Sequence, residues 1–180
     1  YSVMAGHRRD SLRLHGYDYA SAGAYFVTVC SADRVPLFGE IKDDRVVLTP
    51  FGHIVSDRWH QAVTQVHGSE PDEFIVMADH FHAIVWLNTG VTTSSQNTVG
   101  ANDYPPFASH RAHLRSLVRT FKAAVTTAIN TERNTPGNKV WQRNYYDRVI
   151  RDERELNSAR KYVRFNVDKC LMMRETSARR

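Results

Sequence analysis

Cysteine is nearly missing from this chain of 180 residues: only Cys30 and Cys170 occur. They stand far apart and in no metal-binding spacing. A disulfide framework therefore has no basis, and a reducing cytosol is the expected compartment. Each cysteine reads as a small core residue. Long apolar runs are missing too. No stretch approaches the roughly 18–20 residues that span a bilayer, and Tyr1 to Asp10 hold no apolar signal core, so neither a membrane segment nor secretion is expected. Acidic groups are outnumbered, 19 Asp and Glu against 24 Lys and Arg, which gives a formal charge of +5 and a pI near 9.4. That balance suits a polyanionic partner, although many proteins that touch no nucleic acid share it. The length suits one domain with a real core, so residues 1–180 are read as a single unit with a basic arm over about residues 1–20.

What is present is organised around Met77-Ala78-Asp79-His80-Phe81-His82-Ala83-Ile84-Val85-Trp86-Leu87. In a strand, successive side chains alternate between faces, so His80 and His82 share one side and Phe81 takes the other. Two neutral imidazoles at that spacing can hold a divalent cation and leave most of its coordination sphere open, as catalysis requires. Backbone carbonyls and water satisfy such a pair equally well, so the motif alone does not decide.

Residues 7–16 are basic and fit a phosphate backbone or a solvated tail. Residues 24–30, Ala-Tyr-Phe-Val-Thr-Val-Cys, predict a central strand. Val35 to Phe38 and Arg45 to Leu48 suggest a small hairpin or an irregular excursion. Thr49-Pro50 then caps a helix in which Ile54, Val55, Trp59, Ala62, Val63 and Val66 recur at helical spacing, ending near Gly68. His53, His60 and His67 on it read as a solvated face. Asp72 to Ala78 predicts a strand antiparallel to the histidine strand, with the turn around Ala78-Asp79. Asp79 reads as a turn cap, or as a residue that orients a histidine.

Residues 88–108 form a polar, Gly- and Pro-containing stretch of the length that is functional or disordered. Ser109 predicts the cap of a second helix, with Leu114, Leu117, Val118, Phe121, Val125 and Ala128 as its buried stripe. Arg111, Arg115, Arg119 and Lys122 form a separate basic row on it. Residues 140–151 are aromatic and basic, and Arg143, Tyr145 and Arg148 suit stacked bases and phosphates. Asp152 and Glu155 resemble a capping box that opens a last helix running to about Asn166. Tyr162 and Asn166 lie four residues apart, on one helical face.

The ordered combination of the histidine strand, the Trp141-Gln142-Arg143-Asn144-Tyr145-Tyr146-Asp147 segment and a final helix bearing Arg160-Lys161-Tyr162-Val163-Arg164-Phe165-Asn166 resembles the single-tyrosine HUH transposases. The lead-in Gly16-Tyr17-Asp18-Tyr19 and Gly23-Ala24-Tyr25-Phe26-Val27-Thr28 is similar to that of the REP-associated tyrosine transposases. The resemblance covers roughly residues 8–168. It implies an α+β ferredoxin-like sandwich, an antiparallel sheet with helices packed on one face.

It also implies that His80, His82 and Asn166 hold Mg²⁺ or Mn²⁺ and that Tyr162 is the nucleophile. The activity implied is cleavage and rejoining of single-stranded or hairpin DNA through a 5′-phosphotyrosine intermediate. Asn166 is followed by Val167-Asp168 where many relatives carry Asn-Pro. Tyr145 and Tyr146 are rival nucleophiles with no amide ligand at a matching offset. The resemblance leaves monomer and homodimer both open, and it places the protein in the cytoplasm at the nucleoid. Two other readings stand beside it. One is a non-catalytic nucleic-acid-binding module on the same sheet. The other, a cupin-type metalloenzyme, needs further His and Glu ligands on later strands, where the chain instead runs into a polar stretch and a helix.

Overall fold

The alternation in residues 24–30 suits a strand buried on both faces, and it forms β1 (Gly23–Cys30). The computed structural model describes residues 23–43, 45–87 and 107–165, with the side chains of 107–111 left aside. After β1 come a hairpin of β2 (Gly39–Lys42) and β3 (Arg45–Leu48), then α1 (Pro50–Gln65). β4 (Ser69–Val76) and β5 (His80–Leu87) follow, then α2 (Phe107–Glu132), β6 (Tyr146–Ile150) and α3 (Glu153–Arg164). The four longer-range strands make one sheet in the order β4-β5-β1-β6, with every neighbouring pair antiparallel. Strand, helix, two strands, helix, strand in that order is the ferredoxin-like sandwich.

Local chemistry explains the boundaries. Thr49 accepts the Gly52 amide at 3.2 Å and Pro50 sits in the first turn, so α1 begins where the sequence indicates. Residues 35–38 are not the first hairpin strand; that strand is β2. Pro36 lacks an amide proton, and Phe38 uses its own backbone elsewhere, donating to Ala78 O at 2.9 Å and accepting from Thr49 N at 3.0 Å. α2 starts at Phe107, so Ser109 lies inside it. Its buried stripe is the expected one, except that Ile129 stands in the place expected for Ala128.

Two apolar clusters sandwich the sheet. The larger joins Val27, Val29, Phe81 and Val85 to Trp59 of α1 and Phe121 of α2. The smaller places Leu156, Ala159 and Val163 of α3 over Ala24, Ile84 and Ile150. Helices α1 and α2 thus share one face, while α3 lies across the other. Burying a leucine or valine contributes roughly 1.5–3 kcal/mol, so three small apolar side chains hold α3 only modestly. The histidine side of β5 faces that thinner layer.

Candidate active site

Period-two alternation sends Phe81 into the larger core, with its ring 5.1 Å from Trp59 and 5.0 Å from Phe121. His80 and His82 consequently turn toward α3, their ring centroids 4.6 Å apart at 76°. His82 is only 5% exposed. Its cross-strand partner Thr28 brings Oγ1 to 2.8 Å from Nδ1.

His80 Nδ1 lies 2.6 Å from Asp79 Oδ1. An ionised carboxylate can only accept, so this nitrogen carries the proton. Arg34 Nε holds the other Asp79 oxygen at 3.1 Å. Successive positive φ angles at Asp33 (52°) and Arg34 (58°) turn the chain at this point. Burial pushes the Asp79 carboxyl up, but the hydrogen bond from His80 and the charges of His80 and Arg34 outweigh it and leave the carboxyl below its ordinary range. For His82, burial first, then the neighbouring His80 and Arg34 charges, pull the pKa from 6.5 to about 3, against a smaller opposing pull from Asp79. The ring is neutral at physiological pH.

These observations test whether a divalent cation fits. Both Nδ1 atoms are engaged, so Nε2 is what each ring offers, and a neutral imidazole with a fixed far nitrogen is the ligating form. Imidazole nitrogen is a softer donor than Mg²⁺ or Mn²⁺ prefers, so either ion would take its other positions from oxygen. Among the described residues no group of three or more His, Cys, Asp or Glu gathers. The described residues thus offer two imidazoles, which can hold a divalent ion only with its other positions filled by oxygen, and to that extent the pair fits one. Asn166, expected as a third donor, lies outside the described residues.

Tyr162 occupies the last turn of α3, half-buried. Its ring centroid stands 5.4 Å from His82 and 5.8 Å from Phe26, edge-on to both. Phe26 is in turn 5.2 Å from His82. Sheet histidine and helix phenol thus meet within one chain. The helix is capped as expected, Asp152 accepting the Glu155 amide at 2.7 Å. The Glu155 carboxylate accepts from Arg151 N at 3.1 Å, one residue before the cap.

The basic and aromatic residues divide between the faces. Arg148 is exposed on β6, its guanidinium carbon 5.9 Å from the Phe26 ring centre, and so belongs to the site face. Tyr146, paired with Thr28 and 53% exposed, faces the same way. Tyr145 packs instead against the larger core. Arg143 is exposed just before β6. Lys122 donates to the carbonyls of Gln142 at 2.7 Å and Arg143 at 3.1 Å, and burial lowers its pKa. It fastens that segment to α2. Arg115 and Arg119 are exposed on α2, in the layer across the sheet from His82. Arg111 belongs to the same helix, but its side chain lies outside the described residues.

Sequence reasoning missed Phe26 and Thr28 beside the histidines and named Tyr145, which packs on the larger core, where Tyr146 is the tyrosine on the histidine face. The available signal was the alternation along residues 24–30, but it identifies the site only once β1 is known to pair with β5.

No family model matches the chain. An uncharacterized protein of Haemophilus influenzae is 33% identical to it over 162 residues, which is 89% of this chain and 88% of that one. Among solved structures, a REP-associated tyrosine transposase bound to a REP hairpin is similar with a TM-score of 0.51 at 17% identity, over 88% of this chain and 74% of that chain. Among the described residues, no helix is long and apolar enough to cross a membrane.

Proposed function

The chain belongs to the family of its Haemophilus influenzae relative and is REP-associated tyrosine transposase-like in fold, and from that premise we propose that it cleaves and rejoins single-stranded DNA at hairpin-bearing sites, using Tyr162 as the nucleophile. The observation that carries this reading is the Tyr162 ring 5.4 Å from His82, itself 4.6 Å from His80.

In the proposed step Tyr162 Oη attacks a backbone phosphorus in line with the 3′ oxygen. The P–O3′ bond breaks, the phenol proton is lost to solvent, and the departing oxygen takes up a proton as a free 3′-hydroxyl. The DNA 5′ end stays on Tyr162 as a phosphotyrosine. Attack by another 3′-hydroxyl reverses the exchange, so the phosphodiester bond is conserved and no nucleotide cofactor is needed. A phenol with a reference pKa of about 10 is a poor nucleophile at neutral pH and needs help. A divalent cation, Mg²⁺ or Mn²⁺, on His80 and His82 with Asn166 as third donor would supply positive charge beside the non-bridging phosphate oxygen.

The chain's own groups set the geometry around that chemistry. Asp79 orients His80 and Thr28 orients His82. Phe26 walls one side of the phenol. Arg148 offers a charge to the backbone and Tyr146 a ring to a base. Acting on chromosomal DNA, the protein would work at the nucleoid.

Peptide mapping tests the assignment. After reaction with a hairpin oligonucleotide and Mn²⁺, followed by nuclease trimming, mass spectrometry should find a nucleotide on the peptide containing Tyr162. A nucleotide on the peptide containing Tyr145 and Tyr146 would overturn it.

A further inference from the structure

Asp72 and Glu73 are neighbours on β4, and neighbours in a regular strand face opposite sides of the sheet. Here both reach α3. The pairing with β5 passes from Pro71 opposite Val85 to Phe74 opposite Ala83, so β4 advances three residues while β5 advances two. One extra residue of this kind is a β-bulge, which re-aims side chains and is frequent on edge strands such as β4.

The re-aimed carboxylates meet two arginines one helical turn apart. Arg160 Nε donates to Asp72 Oδ1 at 2.9 Å, and its second nitrogen bonds the other oxygen. Arg164 Nε donates to Glu73 Oε1 at 3.0 Å. Asp72 also accepts from Trp86 Nε1 at 2.9 Å, and Trp86 lies on β5, the strand that carries both histidines. The Asp72 side chain is only 8% exposed. The hydrogen bonds from Arg160 hold its carboxyl at about 2 despite burial.

We propose that the Asp72–Glu73 bulge is a positioning device for Tyr162, gripping α3 on both sides of the phenol and fixing its approach to His82. The inference rests on the nucleophile assignment above. Leu156, Ala159 and Val163 form one apolar line, and apolar contact is non-directional. That line sets the height of α3 above the sheet and leaves its rotation loosely defined. A guanidinium fork on both oxygens of a carboxylate is directional, as Arg160 makes on Asp72, and Arg164 adds a second contact a turn on with both nitrogens on Glu73 Oε1; together they resist rotation and fraying of the last turn, where Tyr162 sits. Through Trp86, the same grip is referenced to the strand bearing the histidines.

The test uses the full chain with Mn²⁺ and a hairpin oligonucleotide, well below the unfolding temperature. Asp72→Asn combined with Glu73→Gln should slow single-turnover adduct formation about tenfold or more, since small misplacements of a reacting group cost that much. Hairpin Kd should stay within about twofold, because neither carboxylate belongs to the DNA-facing set. Hydrogen exchange should accelerate over residues 160–165 and not over 153–156. Glu73→Arg should lose rate, and adding Arg164→Glu should restore it. Val63→Ala, in the larger core on α1 and away from α3, is the control for lost stability alone. An unchanged adduct rate in the double variant, or a loss no larger than Val63→Ala gives at equal Tm, would overturn the positioning role while leaving the proposed function standing. Absence of adduct from the unaltered protein would instead remove the function, and the positioning role with it.

Discussion

Thr28 has no part in the proposed chemistry as donor or nucleophile, yet it decides how His82 presents itself. The ring is nearly buried, and Nδ1 lies 2.8 Å from the Thr28 hydroxyl. Thr28→Val removes that partner at constant shape, and leaving a buried polar atom unsatisfied costs about 1–3 kcal/mol. The expected result is a lower Tm and Mn²⁺ affinity reduced about tenfold or more by calorimetry, with Thr28→Ser close to wild type. Unchanged Mn²⁺ binding would show that something else orients the ring.

The two adjacent tyrosines make a second residue-scale test. Tyr145 packs on the larger core while Tyr146 is exposed on the site face. Tyr145→Ala should therefore destabilise the fold and spare DNA affinity. Tyr146→Ala should do the reverse, weakening single-strand binding by about 1–3 kcal/mol if its ring stacks a base. The same effect from both substitutions would contradict the facing assigned to them. The sequence named Tyr145 and not Tyr146 for contact with bases, and the facing is the reverse, because face on β6 depends on a register that only its pairing with β1 sets. The histidines were legible for the opposite reason: their spacing of two within an apolar strand fixes a common face without any knowledge of neighbours.

At the scale of elements, α3 is held by ion pairs as well as by apolar contact, and this gives it an acid limit. Asp72 is pulled from 3.8 to about 2, first by Arg160 and then by Trp86 and the Glu73 amide, against burial. A carboxyl whose folded pKa lies below its unfolded value contributes stability that is complete above about pH 4 and is lost as pH falls through 4 toward 2. With Arg160 partly exposed, that contribution is on the order of 1–2 kcal/mol. Chemical denaturation across this window should show a steeper acid loss for wild type than for Asp72→Asn. Parallel curves would mean that the pair contributes nothing to folding.

Helix starts at Thr49 and Asp152 were readable because a cap is local: the side chain and the amide it accepts are three residues apart. The β4 bulge was not readable. It consists of a mismatch between two strands, and nothing in Pro71-Asp72-Glu73-Phe74 alone announces which residue is extra. The face chosen by α3 was equally hidden, since an amphipathic helix fits either side of a sheet buried on both.

For the molecule as a whole, the sheet separates two basic regions. Arg148 shares the site face, whereas Arg115 and Arg119 lie on α2 in the other layer. A short single strand held at Tyr162 should engage the first and not the second. Each phosphate contact contributes roughly 0.7 to the salt slope of single-strand binding. Arg148→Ala should therefore flatten that slope by about that amount for a short oligonucleotide, and Arg115→Ala with Arg119→Ala should leave it unchanged. A slope that moves only with the α2 arginines would place the DNA on the opposite face. The sandwich itself was legible from the order of elements and from the resemblance together. The separation of charge was not, because a basic row on a helix gives no sign of which layer that helix will occupy.

One chain brings a helix phenol to a pair of sheet histidines, and the proposal is that this phenol breaks and holds a DNA strand. It is tested most directly by a denaturing gel with a 3′-labelled hairpin oligonucleotide and Mn²⁺, comparing the wild type with Tyr162→Phe. The wild type should give a shifted, protein-linked band that chelator abolishes, and Tyr162→Phe should give none although it still binds the hairpin. A linked band of undiminished intensity from Tyr162→Phe, or from the wild type in excess chelator, would contradict it.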